Sequence, residues 1–215
     1  GADADFFFAG WNYGMKVGGE VTPETLDPFG IKVYELTESC SHIMSKDKAS
    51  IKDMYADILN LGIIFGVEGR AEALVAGYKS KLKNFKANLK TLDEGLRVFV
   101  YDSGEDAPFT AGRYAMPTAL IEAAGGQNIM DDFNKSWGSV TWEEVVERDP
   151  QVVVIVNYGD VTAEQKRDYM MSNPAFKNIS AIENDRFVTL EYVEATPGPR
   201  NIQAIQKLAE AFWTK

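Results

Sequence analysis

The sequence predicts an α/β protein in which helices flank parallel sheets, and three observations predict it. A strand, a short capped helix and a second strand follow one another within residues 5–36. A long apolar stripe marks a single helix over residues 68–92, and strands then alternate with helices from residue 97 to the end. With 215 residues, 45% of them hydrophobic and 25% charged, the chain can bury a sizeable core as one large or two small units.

The elements follow in order. Phe6, Phe7, Phe8 and Ala9 form an apolar run of the kind found in a buried strand, so residues 5–10 read as a strand, with Trp11, Asn12, Tyr13 and Gly14 as the loop at its carboxyl end. Thr22 is the N-cap and Pro23 the first position of a short helix that closes at Gly30; residues 31–36 are the next strand. A strand, helix, strand unit implies a parallel pair with a right-handed crossover. Ser50 caps a helix to about Phe65, and after Gly66 a second helix runs from Glu68 to Leu92. On it Ala71, Leu74, Val75, Tyr78, Leu82, Phe85, Leu89 and Leu92 recur at spacings of three and four. Such a helix is about 35 Å long, the length of a spacer. Its basic residues, Arg70 and Lys79 among them, read as a solvated face.

Beyond it, residues 97–101 form a strand, and 117–124 a helix ended by Gly125 and Gly126. The capping box Thr141 to Glu144 opens a helix to Glu147. Residues 152–156 are a buried strand and 162–172 a helix stopped before Pro174. Residues 186–190 are the last strand, and 199–213 the closing helix.

The formal charge of −10 argues against nucleic acid or an anionic membrane surface as the main partner, since both require a basic face. No apolar run reaches the roughly 18–20 residues of a membrane span; residues 58–67 come nearest and are interrupted by Asn60, Gly62 and Gly66. Cys40 is the only cysteine, so no intrachain disulfide and no cysteine-based metal site can form. There is no Gly-x-Ser-x-Gly elbow, no phosphate-binding Walker loop and no Gly-x-Gly-x-x-Gly after a strand. His42, the only histidine, reads as a surface or locally hydrogen-bonded residue, with haem ligation as the alternative. The abrupt start, Gly1 to Asp5 leading straight into a buried-type strand, reads as a fragment whose N-terminal part, signal segment included, is missing.

Ligands of α/β sheets bind at the loops after the strands. Here those loops carry Trp11 and Tyr13, Tyr114 beside Arg113, Trp137, Tyr158 beside Asn157, and Tyr192. A single loop aromatic often caps the edge of a core. Six spread over both halves point to a cleft for a large, flat or partly apolar ligand. Arg113 is placed either to meet an anionic ligand group or to form a structural ion pair.

An ordered set of motifs carries a resemblance. Ala107-Pro-Phe-Thr-Ala-Gly-Arg113, Ala123-Ala-Gly-Gly-Gln-Asn-Ile129, Trp137-Gly-Ser-Val-Thr-Trp-Glu-Glu-Val145, Asp149-Pro-Gln-Val-Val-Val-Ile155 and Thr196-Pro-Gly-Pro-Arg200 follow Ala9-Gly-Trp11 and Gly30-Ile-Lys-Val33. Together they resemble the periplasmic binding proteins of iron-siderophore, haem and cobalamin importers. The resemblance implies two α/β lobes joined by one long rigid helix. Residues 1–66 would be the later part of an incomplete first lobe, 67–95 the linking helix and 96–215 the second lobe. The ligand would lie between the lobes, against Trp11, Asn12, Tyr13, Arg113, Tyr114, Trp137, Tyr158 and Tyr192. Glu20 and Glu194 match the acids that dock on arginines of an ABC permease of the inner membrane; Glu194 needs a one-residue insertion, which leaves Glu191 as a competitor.

The function so implied is that of a non-enzymatic receptor with no cofactor of its own and no protein-held metal. It would capture a metal chelate outside the cytoplasmic membrane, a ferric siderophore first, with haem and cobalamin following. The rival is a cofactor-processing or chelatase-like enzyme on a similar scaffold, which would call for more metal-ligating side chains than one His and one Cys provide. The expected location is periplasmic or extracellular, as a lipoprotein anchored to the cytoplasmic membrane. Apolar surface left by an incomplete lobe favours dimerisation of the fragment or strand exchange.

Overall fold

A computed structural model of the protein describes residues 3–10, 19–86 and 95–213. The first elements are β1 (Phe6–Ala9), α1 (Pro23–Leu26), β2 (Lys32–Glu35), α2 (Ile51–Ile64) and α3 (Glu68–Lys86). β1 and β2 pair in parallel, with Phe6 opposite Lys32 and Ala9 opposite Glu35, as the strand, helix, strand reading expects. The Thr22 hydroxyl accepts from Thr25 N (3.2 Å) while the Thr25 hydroxyl accepts from Thr22 N (2.8 Å), so two orphan amides at the start of α1 are satisfied reciprocally. Ser50 and Asp53 do the same at the start of α2.

α2 and α3 fold back on each other through Gly66, whose φ of +65° lies in the left-handed region. Gly62 makes the contact close: a Cβ there would stand 2.5 Å from the Ala71 side chain. α3 is one unbroken helix of 19 residues that buries Ala71, Val75 and Leu82. Leu74, expected on the same stripe, is instead 40% exposed, because it sits on the flank of that face. The expected continuation to Leu92 lies outside the described residues.

The second half comprises β3 (Leu96–Tyr101), β4 (Phe109–Ala111), α4 (Met116–Ala123), β5 (Gly126–Asn128), β6 (Trp137–Ser139), α5 (Trp142–Arg148), β7 (Val152–Asn157), α6 (Ala163–Ser172), α7 (Ser180–Glu183), β8 (Phe187–Glu191), α8 (Tyr192–Ala195) and α9 (Asn201–Trp213). Four strands form a parallel sheet in the order β5-β3-β7-β8, and β4 and β6 form a separate antiparallel ribbon. Successive side chains of a strand point to opposite faces. Val98 and Val100 of β3, with Val152 and Val154 of β7, accordingly pack with α4, α9, α2 and α3. Phe99 and Tyr101, with Val153 and Ile155, pack on the other side with α5, α6 and α7. The central strands β3 and β7 are buried on both faces, which is why residues 152–156 read as a continuous apolar run.

Three strands depart from the sequence reading. β4, β5 and β6 have three residues each, too few to display a period of two. Gly126, read as the end of a helix, opens β5, and Gly125, at a φ of +89°, makes the turn. Trp137 lies on β6 rather than in a loop, and Tyr192 and Glu194 lie in α8 rather than in loops. The closing helix begins at Asn201, not Pro199. Asn201 is fully buried, and its side chain ties Glu194 O, Thr196 O and Gly198 N together ahead of the helix.

Candidate ligand-binding site

A pocket of about 230 Å³ opens beside the carboxyl ends of β3, β7 and β8, lined by Asp102, Phe109, Trp137, Val156, Tyr158, Tyr192, Ala195 and Thr196. This is where a parallel sheet leaves room for a ligand. Two aromatic pairs shape it. Phe109 and Trp137 lie on neighbouring strands of the antiparallel ribbon and stack with centroids 6.0 Å apart and planes at 12°. Tyr158 and Tyr192 follow β7 and β8, and stack at 4.5 Å and 22°. Ring faces of this kind receive flat or apolar ligand surface.

Asp102 contributes the charged group among the described lining residues. It directly follows β3, is 9% exposed, and is held by its backbone N donating to Phe109 O (3.0 Å) and by Ser103 Oγ donating to Oδ2 (3.0 Å). Burial raises its carboxyl above the ordinary carboxylate value, and the nearby Lys166 charge pulls the other way. Lys166 is 2% exposed and donates to Val156 O (2.8 Å) and Tyr158 O (2.9 Å), fixing the chain as it leaves β7. Burial lowers its ammonium pKa in turn.

Of the residues proposed from the sequence, the structure brings Trp137, Tyr158 and Tyr192 to this one pocket. Trp11, Asn12 and Tyr13 lie outside the described residues, as does the side chain of His42. Arg113 and Tyr114 sit elsewhere. The Arg113 guanidinium pairs with Asp47 (3.2 Å) and lies over the Tyr114 ring (5.9 Å to its centroid), while the Tyr114 hydroxyl donates to Asn134 Oδ1 (2.8 Å). Arg113 thus makes an ion pair in this structure and is not among the described residues lining the pocket, while its Nε is buried with no hydrogen-bond partner among the described residues. Asp102, Phe109, Val156, Ala195 and Thr196 were missed. For Asp102 the available signal was its place immediately after a strand.

Arg113 belongs to a seam between the two halves of the chain. Ala49 N donates to Arg113 O (2.8 Å), Lys48 pairs with Glu122, and the fully buried Glu38 accepts Met116 N on Oε1 at 2.7 Å. Glu38 thereby supplies an acceptor at the first turn of α4, where amides lack helical partners. Cys40, on the same short segment, is buried and its thiol is pushed up to about 11, mainly by burial, which marks a structural and unreactive group.

Glu20 is exposed ahead of α1. Glu194 is half-buried; its Oε2 accepts from Glu191 N (2.8 Å) and pairs with Lys207 (3.0 Å). Glu191 is exposed and accepts from the Asn157 side chain at 3.0 Å. Among the described residues no cluster of three or more His, Cys, Asp or Glu side chains is placed to hold a metal ion, and no helix is long and apolar enough to cross a membrane.

Parallel sheets flanked by helices, with an aromatic pocket at the strand ends, make this an α/β protein of the architecture shared by two-lobed periplasmic binding proteins. The sequence profile of the periplasmic binding proteins matches residues 24–193, and the chain belongs to that family. An ABC transporter substrate-binding lipoprotein of Bacillus subtilis is 27% identical over 170 residues, covering 78% of this chain and 52% of that protein. A vitamin B12-binding protein of Vibrio vulnificus is 25% identical over 191 residues, covering 88% of this chain and 63% of its own length. The chain therefore spans between about half and two-thirds of these relatives. A crystal structure of a periplasmic binding protein from Veillonella parvula superposes with a TM-score of 0.86 at 28% identity, over 98% of this chain and 71% of the other.

Proposed function

We propose that the protein is the solute-binding component of an ABC importer, which captures a metal chelate outside the cytoplasmic membrane and passes it unchanged to a permease. The observation that carries this reading is the pocket walled by Phe109, Trp137, Tyr158 and Tyr192 at the strand ends of a periplasmic binding protein. Its volume of about 230 Å³ is below the ~300–1,000 Å³ of a drug-sized site, so it seats one face or arm of a larger ligand. Ferric siderophores, haem and corrinoids all present such parts. Vitamin B12 binding by the Vibrio relative supports the corrinoid among them. Anchoring as a lipoprotein, as in the Bacillus relative, accounts for a receptor kept close to its permease.

Titration of the full-length protein with ferric and corrinoid chelates is expected to quench Trp137 fluorescence without consuming the chelate. Replacing Trp137, Tyr158 or Tyr192 by Ala should weaken binding by about 1–3 kcal/mol each, as for other stacked aromatics. Unchanged affinity in all three variants would remove this pocket from the ligand site.

We place permease docking at Glu20 and Glu194, with Glu191 competing for the second position because it is the more exposed of the two. A Glu20→Ala/Glu194→Ala variant should keep its chelate affinity and lose about tenfold in uptake, as expected when charge pairs that set orientation are removed. Uptake that falls only with Glu191→Ala would move the contact to that residue. Normal uptake in both variants would end the docking assignment.

A further inference from the structure

We infer that Asp102 sets the charge class of the ligand: the pocket takes a neutral or cationic chelate that offers an N–H or O–H donor to this carboxyl, and disfavours chelates of net negative charge that present carboxylates or catecholates. The inference rests on the receptor reading above and narrows it.

Three observations support it. Asp102 lines the pocket with one oxygen committed: Oδ2 accepts from Ser103 Oγ, and among the described residues no hydrogen bond to Oδ1 is found. The buried cation Lys166, whose charge acts on Asp102, is not among the described lining residues. Lys166 lies behind the lining at 2% exposure, with its ammonium donating to Val156 O and Tyr158 O. Arg113, the cation that the sequence offered for an anionic ligand group, is paired with Asp47 and is not among the described lining residues.

A ligand carboxylate entering here would shed its water with no cationic partner among the described lining residues, and a desolvated anion without a partner is strongly disfavoured. The chain's net charge of −10 adds to this at longer range. An amide or ammonium donor instead gains a charge-assisted hydrogen bond to Oδ1 while its flat neighbouring atoms rest on the Phe109–Trp137 and Tyr158–Tyr192 stacks. Corrinoids bearing carboxamides and uncharged ferric trihydroxamates have this chemistry. Haem propionates and ferric tris-catecholates do not.

The test is calorimetric titration of the full-length protein at constant pH and salt with cyanocobalamin, a neutral ferric trihydroxamate, haemin and a ferric tris-catecholate. One of the two neutral chelates is expected to bind more tightly than either anionic one. Asp102→Asn, which keeps the shape, should weaken that neutral chelate by about tenfold, because a hydrogen bond to a charged acceptor is stronger than one to a neutral acceptor. It should also narrow the gap to the anionic chelates. Tighter binding of haemin or the tris-catecholate by the unmodified protein would overturn the inference and leave the receptor reading standing. So would an unchanged neutral affinity in Asp102→Asn. Binding of none of the four would overturn both.

Discussion

Trp142→Ala should destabilise the protein by about 3–5 kcal/mol, the range for deleting a large buried aromatic side chain. Trp142 is 9% exposed at the start of α5 and sits at the centre of a ring cluster. Its indole lies 4.5 Å from Phe176, 5.3 Å from Tyr101, and 6.1 Å from both Phe99 and Tyr169. Its Nε1 donates to Glu105 O at 2.6 Å, and the Tyr169 hydroxyl donates to the same carbonyl at 2.7 Å. The variant therefore loses the packing of four rings, and the loop carrying Glu105 loses one of two anchors. Trp142→Phe keeps most of the ring contact and loses the hydrogen bond, so about 1–2 kcal/mol is expected. Urea unfolding of the two variants checks the order, and equal losses would show that the hydrogen bond rather than the cluster is what matters.

Glu38→Ala should cost about 2–4 kcal/mol, combining a buried amide left without a partner with the loss of the acceptor that caps a helix start. Glu38 is fully buried and reaches Met116 N across the seam between the halves of the chain. The loss should be accompanied by faster amide hydrogen exchange in the first turn of α4. Glu38→Gln retains an acceptor and should recover at least half of the stability. If Gln proves as harmful as Ala, the charge at the helix start outweighs the hydrogen bond. If neither variant changes stability, the contact does not hold the halves together.

The features legible in the sequence were those written by local chemistry. Thr22, Ser50 and Thr141 cap helices in the structure as hydroxyl side chains before helical runs should, because a cap reads only its own next three residues. The buried strand β7 was legible for a similar reason, since Val152 to Ile155 leaves no polar position to place outward. The ribbon of β4 and β6 was not legible. Phe109 meets Ser139 across thirty positions of chain, and strands this short carry no pattern. Three of the four pocket aromatics, Trp137, Tyr158 and Tyr192, were singled out from their places near strand ends, whereas Phe109, on the short strand β4, was not. Asp102 was not, because one carboxyl after a strand is indistinguishable from any surface acid until burial is known. The sequence left Arg113 open between a ligand contact and an ion pair, and could not name Asp47 as the partner because it lies 66 positions away.

The contact between Glu38 and Met116 also bears on how the protein is made. The two residues are separated by 78 positions. At the roughly 5–20 residues per second of synthesis, Glu38 leaves the ribosome on the order of ten seconds before the amide it will accept. Throughout that interval the Glu38 side chain lacks the α4 helix start that it meets in the folded protein. The first half of the chain is thus finished by the second, and the nascent protein reaches its final packing only after α4 has emerged.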